Sequence, residues 1–204
     1  MMITCLDLEG VLVPEIWIGV AERSGIDALR LTTRDIADYD ELMHHRLTIL
    51  REHDLGLADI QAVIDELRPL DGAFDFLQWL RSRSQVIILS DTFYEFAQPL
   101  MKQLDWPTLF CHRLEVDAAG RISGYRLRQT DPKRQAVNAL RQLNFKIIAA
   151  GDSYNDLSML TAADAGILFN PPERLVADYP EFPVANDYAR LSAAIQEAEQ
   201  RVLS

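Results

Sequence analysis

The stretch that determines the fold of this chain reads Ile3-Thr4-Cys5-Leu6-Asp7-Leu8-Glu9-Gly10-Val11-Leu12-Val13. Its apolar beginning is typical of a buried β-strand, and Gly10 allows the backbone to turn sharply where that strand ends. Parallel sheets bind ligands just beyond the carboxyl ends of their strands, so Asp7 and Glu9 stand where a site is expected. Taken alone, two carboxylates before a glycine fit an ordinary solvated strand end about as well as a site.

Two later apolar runs also end in polar residues. Residues 85–90 lead into Ser90-Asp91-Thr92, and residues 146–151 lead into Asp152-Ser153-Tyr154-Asn155-Asp156. After residue 70 such strands alternate with helical patterns, which predicts an α/β fold with helices covering a mostly parallel sheet. A hairpin is predicted within residues 109–128, and the proline-rich residues 171–183 are predicted to be an ordered surface loop.

The composition excludes several classes of function. The chain has 204 residues, of which 49% are hydrophobic, and a formal net charge of −11. That charge argues against nucleic acid or an anionic membrane as a partner. No apolar run reaches membrane-spanning length, and no signal segment is recognised at the amino terminus. Cys5 and Cys111 lie in apolar surroundings with no metal or disulfide spacing, so we expect reduced core thiols in a cytoplasmic protein.

Residues 14–70 form a helical segment without a strand of its own. Amphipathic helices are predicted over residues 15–24, 38–52 and 57–67. Arg46 lies on the apolar face of the second helix, four residues from both Leu42 and Leu50. A guanidinium in that position either extends to solvent or serves a site beneath it, and the spacing alone favours extension to solvent.

The strand ends and two cations together indicate a phosphate site. Asp7 and Asp152 offer the hard oxygen ligands that Mg²⁺ prefers, and Ser90 offers a hydroxyl donor. Lys133 in a predicted helix start and Arg46 supply positive charge. A carboxylate that attacks a phosphate meets a repulsion of about 4 kcal/mol per charge pair at about 4 Å, roughly a thousandfold in rate, so Mg²⁺ and Lys133 are needed to neutralise it.

With Asp7, Ser90, Lys133 and Asp152 in this order, the chain resembles the haloacid-dehalogenase superfamily of aspartyl-phosphate phosphatases. Within that superfamily it is similar to the phosphoserine phosphatases, above all to the bacterial bifunctional type that also transfers the phosphoryl group from phosphoserine to homoserine. The resemblance implies a Rossmann-like, three-layer core formed by residues 1–13 and 71–204. It also implies a small helical cap domain, residues 14–70, inserted after the first strand.

The resemblance also implies roles for residues around the phosphate. Asp7 would accept the phosphoryl group, and Glu9 would protonate the leaving seryl oxygen and then activate the incoming water or alcohol. Ser90, Asp91 and Lys133 would hold the phosphate. Mg²⁺ would be bound by Asp7, Asp152 and the backbone carbonyl of Glu9, and Asp156 would support that site.

Three further residues are implied in substrate binding. Glu15 would meet the substrate ammonium, and Asn155 would contact phosphate or substrate. Arg46 would clamp the substrate carboxylate, which replaces the extension to solvent that its spacing alone favours.

Two residues differ from the usual family pattern. Glu9 stands where aspartate is usual, and Asp91 stands where a small residue is usual. We expect both to disfavour water at the phosphorylated aspartate and to let a second alcohol, homoserine, compete. Three alternatives are a phosphatase of another small phosphomonoester or nucleotide, an inactive binding module on the same scaffold, and a haloacid dehalogenase. The last needs no metal and leaves Glu9 without a role.

Overall fold

The computed structural model describes residues 1–32, 35–36 and 38–203. Its centre is a seven-stranded sheet in the order β4-β3-β2-β1-β5-β6-β7. The strands are β1 (Met2–Leu6), β2 (Gln85–Phe93), β3 (Thr108–Val116), β4 (Ile122–Arg126), β5 (Lys146–Gly151), β6 (Ala165–Phe169) and β7 (Val184–Ala185). The β3–β4 pair is antiparallel and the other neighbouring pairs are parallel, which confirms the predicted mostly parallel sheet and hairpin.

Helices cover both faces of this sheet. They are α1 (Ile16–Ser24), α2 (Tyr39–Glu52), α3 (Leu57–Glu66), α4 (Ala73–Arg81), α5 (Tyr94–Gln103), α6 (Pro132–Gln142), α7 (Leu157–Ala162), α8 (Glu173–Asp178) and α9 (Tyr188–Leu203). Short 3₁₀ helices occupy Asp27–Arg30 and Tyr154–Asp156. Among the described residues, no helix is long and apolar enough to cross a bilayer.

Alternate residues of the central strands enter two separate apolar clusters. Leu6 and Ile148 join a cluster that includes residues of α4 and α9, whereas Cys5 and Ala149 join a cluster that includes residues of α6 and α7. Side chains in a strand point to opposite faces in turn, so both faces of β1 and β5 are buried. The result is the predicted three-layer α/β core.

The described part of the segment between β1 and α4 contains the helices α1, α2 and α3, as predicted. Gly25 ends α1 in the left-handed conformation with φ 71°, and the Asp38 side chain accepts a 2.8 Å hydrogen bond from Glu41 N at the start of α2. Both are ordinary helix-end devices. Apolar residues of α1, α2 and α3 belong to the same cluster as α4 and α9, so the inserted helices pack directly on the core.

One local expectation was wrong. Residues 171–183 contain α8, so this stretch is not a loop throughout, and β7 follows it. Asp131 lies at the N-cap position of α6, but its side chain makes no capping hydrogen bond to the residues that the structure describes. Instead its carboxylate accepts a 2.8 Å hydrogen bond from the Ser158 hydroxyl.

Candidate active site

The carboxyl ends of three adjacent strands bring the predicted residues to one edge of the sheet. Asp7 follows β1 and its N–H donates to Ala150 O of β5 at 2.9 Å, Ser90 lies within β2, and Asp152 follows β5. A cavity of about 300 Å³ opens at this edge. Its lining includes Asp7, Glu9, Glu15, Arg46, Ser90, Asp91, Asp152 and Asn155.

Lys133 lies beneath this cavity, in the first turn of α6. Its Nζ is 2.9 Å from Asp7 Oδ1, 2.8 Å from Asp156 Oδ1 and 3.5 Å from Asp91 Oδ2, and the residue is 2% exposed. Burial alone would lower the pKa of Lys133, but the three carboxylates outweigh it and hold this pKa well above its ordinary value. The amine is therefore a fixed positive charge beside Asp7.

Three carboxylates form a compact acidic cluster here. Asp7, Asp152 and Asp156 each place an oxygen within 4.8 Å of the others. Asp156 is fully occupied, because Oδ1 accepts from Lys133 and Oδ2 accepts from the backbone N–H groups of Asp152 (3.0 Å) and Ser153 (3.2 Å). Asp156 thus fixes the positions of its neighbours, and Asp7 and Asp152 are the carboxylates left to face a ligand.

Gly10 makes the approach of Asp152 to the first strand end geometrically feasible. Its φ of +76° suits glycine, and a Cβ at this position would lie 2.4 Å from Asp152 Oδ2. The glycine that followed the two carboxylates in the sequence therefore serves both the turn and the packing of the acidic cluster.

The acidic cluster fits a hard divalent cation. Burial and the negative charge of Asp156 raise the pKa of Asp7 well above its ordinary value. Burial and the same neighbour raise the pKa of Asp152 to about 7. Carboxylates this close together repel one another when they are ionised, and a divalent cation between them relieves that repulsion. Mg²⁺ fits such a site because it binds carboxylate and phosphate oxygens together.

Glu9 connects the sheet edge to the inserted helices. Its Oε2 accepts a 2.9 Å hydrogen bond from the backbone N–H of Ile16, the first residue of α1. Burial and the negative charge of Glu15 raise the pKa of Glu9 to about 8. Such a carboxyl group holds its proton near neutral pH, which suits a general acid. Glu15 itself is exposed at the cavity wall.

Arg46 lies inside the cavity wall and does not extend to solvent. It is 7% exposed, and its guanidinium carbon is 4.5 Å from the centre of the Trp17 ring. Nη2 donates to Leu31 O at 2.9 Å, whereas the buried Nε has no hydrogen-bond partner among the described residues. Burial lowers the pKa of Arg46 to about 10, so it remains a cation. The structure offers an anion-binding group here.

Ser90 and Asp91 form the remaining wall. Ser90 is buried, and its Oγ accepts the Thr92 N–H at 3.2 Å. The Asp91 side chain does not face the cavity alone, because Oδ2 accepts from Asn155 Nδ2 at 3.0 Å and lies 3.5 Å from Lys133 Nζ. Burial alone would raise the pKa of Asp91, but Lys133, His112 and Asn155 hold it well below its ordinary value. Asp91 is therefore ionised, and its carboxylate holds the donor groups of Asn155 and Lys133 in place.

Sequence reasoning missed two residues of this region. Tyr39, which lines the cavity, donates from its hydroxyl to Asp91 O at 3.1 Å. His112 is buried, with Nε2 3.6 Å from Asp91 Oδ1. Each has an ordinary sequence setting, an amphipathic helix for Tyr39 and an apolar strand for His112, and neither setting signals a site.

An acidic cluster with a buried lysine, at the carboxyl edge of a parallel α/β sheet, defines a class of hydrolase. The family model described as haloacid dehalogenase-like hydrolase matches residues 5–164, and the chain belongs to that family. It is 60% identical over 204 residues to the "Phosphoserine phosphatase ThrH" of Pseudomonas aeruginosa, covering 100% of both chains. It is also 60% identical over 201 residues to a "Phosphoserine phosphatase" of Pseudomonas syringae, covering 98% of this chain and 85% of that one.

Known structures share the fold at lower identity. A phospho-aspartyl intermediate analogue of phosphoserine phosphatase matches with a TM-score of 0.74 and 18% identity, and a substrate-bound phosphoserine phosphatase complex matches with a TM-score of 0.74 and 16% identity. Each match covers 90% of this chain and 92% of the other. These two structures support the fold, and the two Pseudomonas relatives support the family at closer range.

Proposed function

We propose that this protein is a Mg²⁺-dependent phosphoserine phosphatase that works through a phosphorylated Asp7. One observation carries the proposal: Lys133 Nζ lies 2.9 Å from Asp7 Oδ1 in a buried acidic cluster, in a chain that is 60% identical to a phosphoserine phosphatase over its whole length. A buried cation beside a carboxylate nucleophile is what attack on a phosphate dianion requires.

Asp7, Asp152 and the backbone carbonyl of Glu9 would hold the Mg²⁺, while Asp156 keeps the lysine and the loop after β5 in place. When bound, the ion neutralises negative charge on the phosphate and on the two carboxylates. The hydrogen bonds to both oxygens of Asp156 support this division of roles.

In the first step, Asp7 forms an oxygen–phosphorus bond, and the bond between phosphorus and the seryl oxygen breaks. Glu9 gives its proton to that oxygen, and serine leaves. In the second step, Glu9 takes a proton from a water molecule, and the water oxygen forms a bond to phosphorus. The bond between phosphorus and the Asp7 oxygen breaks, so that inorganic phosphate leaves and the Asp7 carboxylate is restored. The raised pKa of Glu9, about 8, supports its role as the proton donor in the first step.

The substrate carboxylate is bound by Arg46 and its ammonium by Glu15, while Ser90, Lys133 and Asn155 hold the phosphate. The buried Nε of Arg46 has no hydrogen-bond partner in the described part of the chain, which supports binding of the substrate carboxylate by this guanidinium. Five carboxylates line the cavity, those of Asp7, Glu9, Glu15, Asp91 and Asp152. Such a cavity favours a ligand that carries an ammonium group besides its anions.

We propose further that homoserine competes with water for the phosphoryl group. The support is the two residues that differ from the usual pattern, Glu9 with its longer side chain and the charged Asp91 beside the lysine. The ratio of phosphohomoserine to free phosphate, measured with both acceptors present, should fall in Glu9→Asp. An unchanged ratio removes Glu9 as its cause.

The inserted segment, residues 14–70, is proposed to be a cap domain over a core of residues 1–13 and 71–204. Arg46 and Glu15 within this segment line the cavity, which supports a role in excluding bulk water during transfer. A cytoplasmic location is also proposed, and the unpaired state of Cys5 and Cys111 supports it.

The decisive experiment is phosphate release from phosphoserine in the presence of Mg²⁺, by the wild type and by Asp7→Asn. Turnover that vanishes in the variant, with an unchanged thermal midpoint, supports the proposal. Wild-type turnover of other phosphomonoesters but not of phosphoserine favours a different substrate on the same fold. Complete inactivity of the wild type favours a binding module.

A further inference from the structure

His112 is a buried polar residue that the proposed reaction does not use. It lies on β3, in register with Phe93 of β2, and is 2% exposed. Its ring packs against Phe93 and Tyr39, with ring centres 6.2 and 6.4 Å apart. A buried imidazole in an aromatic setting requires polar partners, and its two nitrogens have different ones.

The hydrogen bond at one nitrogen assigns the tautomer of the ring. The backbone N–H of Arg128 donates to Nδ1 at 3.1 Å, so Nδ1 uses its lone pair and the neutral ring carries its hydrogen on Nε2. That N–H faces Asp91 Oδ1 at 3.6 Å. The distance exceeds that of a hydrogen bond, so the contact is one between the N–H dipole and the carboxylate charge.

The other oxygen of Asp91 contacts two donors of the protein. Oδ2 accepts from Asn155 Nδ2 at 3.0 Å and lies 3.5 Å from the Lys133 amine, which also binds Asp7. A continuous series of polar contacts thus runs from His112 through Asp91 to the lysine beside the nucleophile.

The Asp91 carboxylate can support phosphate binding only if its orientation is fixed. Turned toward the cavity, its negative charge would repel an incoming phosphate and draw the amine of Lys133 away from Asp7. Held between His112 and Asn155, the same carboxylate keeps its charge among donors of the protein. The side chain of Asp91 is 29% exposed, so packing alone does not hold it.

We propose that His112 is a positioning residue of the phosphoryl-transfer site, which fixes Asp91 so that Asp91 orients Asn155 and Lys133 toward the phosphate. This inference rests on the proposed function. The Nε2–H of the ring fixes the Asp91 carboxylate, whereas the contact of Nδ1 with the Arg128 N–H holds the end of the β3–β4 hairpin.

Two substitutions distinguish the roles of Nδ1 and Nε2. His112→Asn keeps an acceptor near Nδ1 for Arg128 and loses the donor toward Asp91. His112→Gln keeps a donor near Nε2 and loses the acceptor. We expect kcat to fall about tenfold in His112→Asn and less than about threefold in His112→Gln, since support residues behind an active-site group are commonly worth about ten- to a hundredfold.

The reverse order would show that the ring serves only the hairpin and would overturn the inference, as would equal losses. Circular dichroism and thermal midpoints establish that both variants are folded. Asp91→Ala removes the carboxylate that His112 contacts and leaves the buried ring unchanged. It should lower kcat at least as much as His112→Asn. An unchanged kcat in Asp91→Ala overturns the inference even if both His112 variants fail to fold.

Each variant is assayed with phosphoserine and with p-nitrophenyl phosphate. If the wild type hydrolyses only the aryl ester, the proposed substrate fails, and the order of the variants on the aryl ester still decides the role of His112. If phosphoserine is hydrolysed and His112→Asn keeps full kcat, the proposed function stands and the role of His112 fails.

Discussion

Replacing Lys133 by methionine tests the electrostatic basis of the site. The substitution keeps most of the apolar stem of the side chain and removes the charged amine. It leaves the carboxylates of Asp7, Asp156 and Asp91, which lie 2.9, 2.8 and 3.5 Å from Nζ, without their shared cation. At an effective dielectric constant of about 20, each of the two shorter contacts is worth about 6 kcal/mol of direct attraction.

Desolvation of the buried lysine offsets much of this attraction, and removing one partner of a buried ion pair typically costs about 3–5 kcal/mol. If that loss appears in the transition state, kcat/KM falls by about two to four orders of magnitude. Asp7 would also hold its proton more strongly and be a poorer nucleophile at neutral pH.

The assay is steady-state phosphate release at saturating Mg²⁺, with thermal midpoints to establish that the variant is folded. Lys102→Met serves as the control, because Lys102 is exposed on α5, and its kcat/KM should match the wild type. A folded Lys133→Met enzyme that keeps kcat/KM within tenfold of the wild type would refute the reasoning.

Three further outcomes are expected. Gly10→Ala should weaken Mg²⁺ binding at least tenfold by calorimetry, because its Cβ would lie 2.4 Å from Asp152 Oδ2, whereas Gly25→Ala, with a similar φ of +71° and open space around it, should bind Mg²⁺ normally. Arg46→Met should raise KM for phosphoserine about a hundredfold and leave p-nitrophenyl phosphate hydrolysis nearly unchanged, with the exposed Arg51→Met as control. In EDTA, the free energy of unfolding should fall as pH rises from about 4 to 7, because a carboxyl whose folded pKa is raised to about 7 binds more protons folded than unfolded. Asp152→Asn should flatten this slope, measured by urea denaturation, and an unchanged slope would contradict the assignment.

The sheet and its edge could be predicted because their signals are local. An apolar run that ends in polar residues and glycine identifies a buried strand and its carboxyl end within a few residues, as at Asp7 and Asp152. Parallel pairing then brings those ends together without further information. The two-residue β7 and the short α8 fall below the length at which periodicity is informative.

The polar support around the site could not be predicted, because its partners are remote in sequence. Tyr39 meets Asp91 across 52 positions, and His112 meets Arg128 only after the hairpin has folded. Arg46 shows the same limit in another form. Its spacing placed it correctly on the apolar face of α2, but only the packing of Trp17 over the guanidinium decides that it stays inside.

The hydrogen bond from the Ile16 amide to the Glu9 carboxylate joins two events that are usually treated separately. The group proposed to exchange a proton in every catalytic cycle is also the carboxyl group at the amino end of α1, where the helix dipole favours the negative charge that Glu9 carries after it has given up its proton. Any movement that lifts α1 from the sheet must break this bond. Opening the cavity in this way, to exchange serine for an acceptor, would therefore also free the Glu9 carboxyl group to change its orientation. The exchange of ligands and the transfer of the proton would then depend on the same movement of α1.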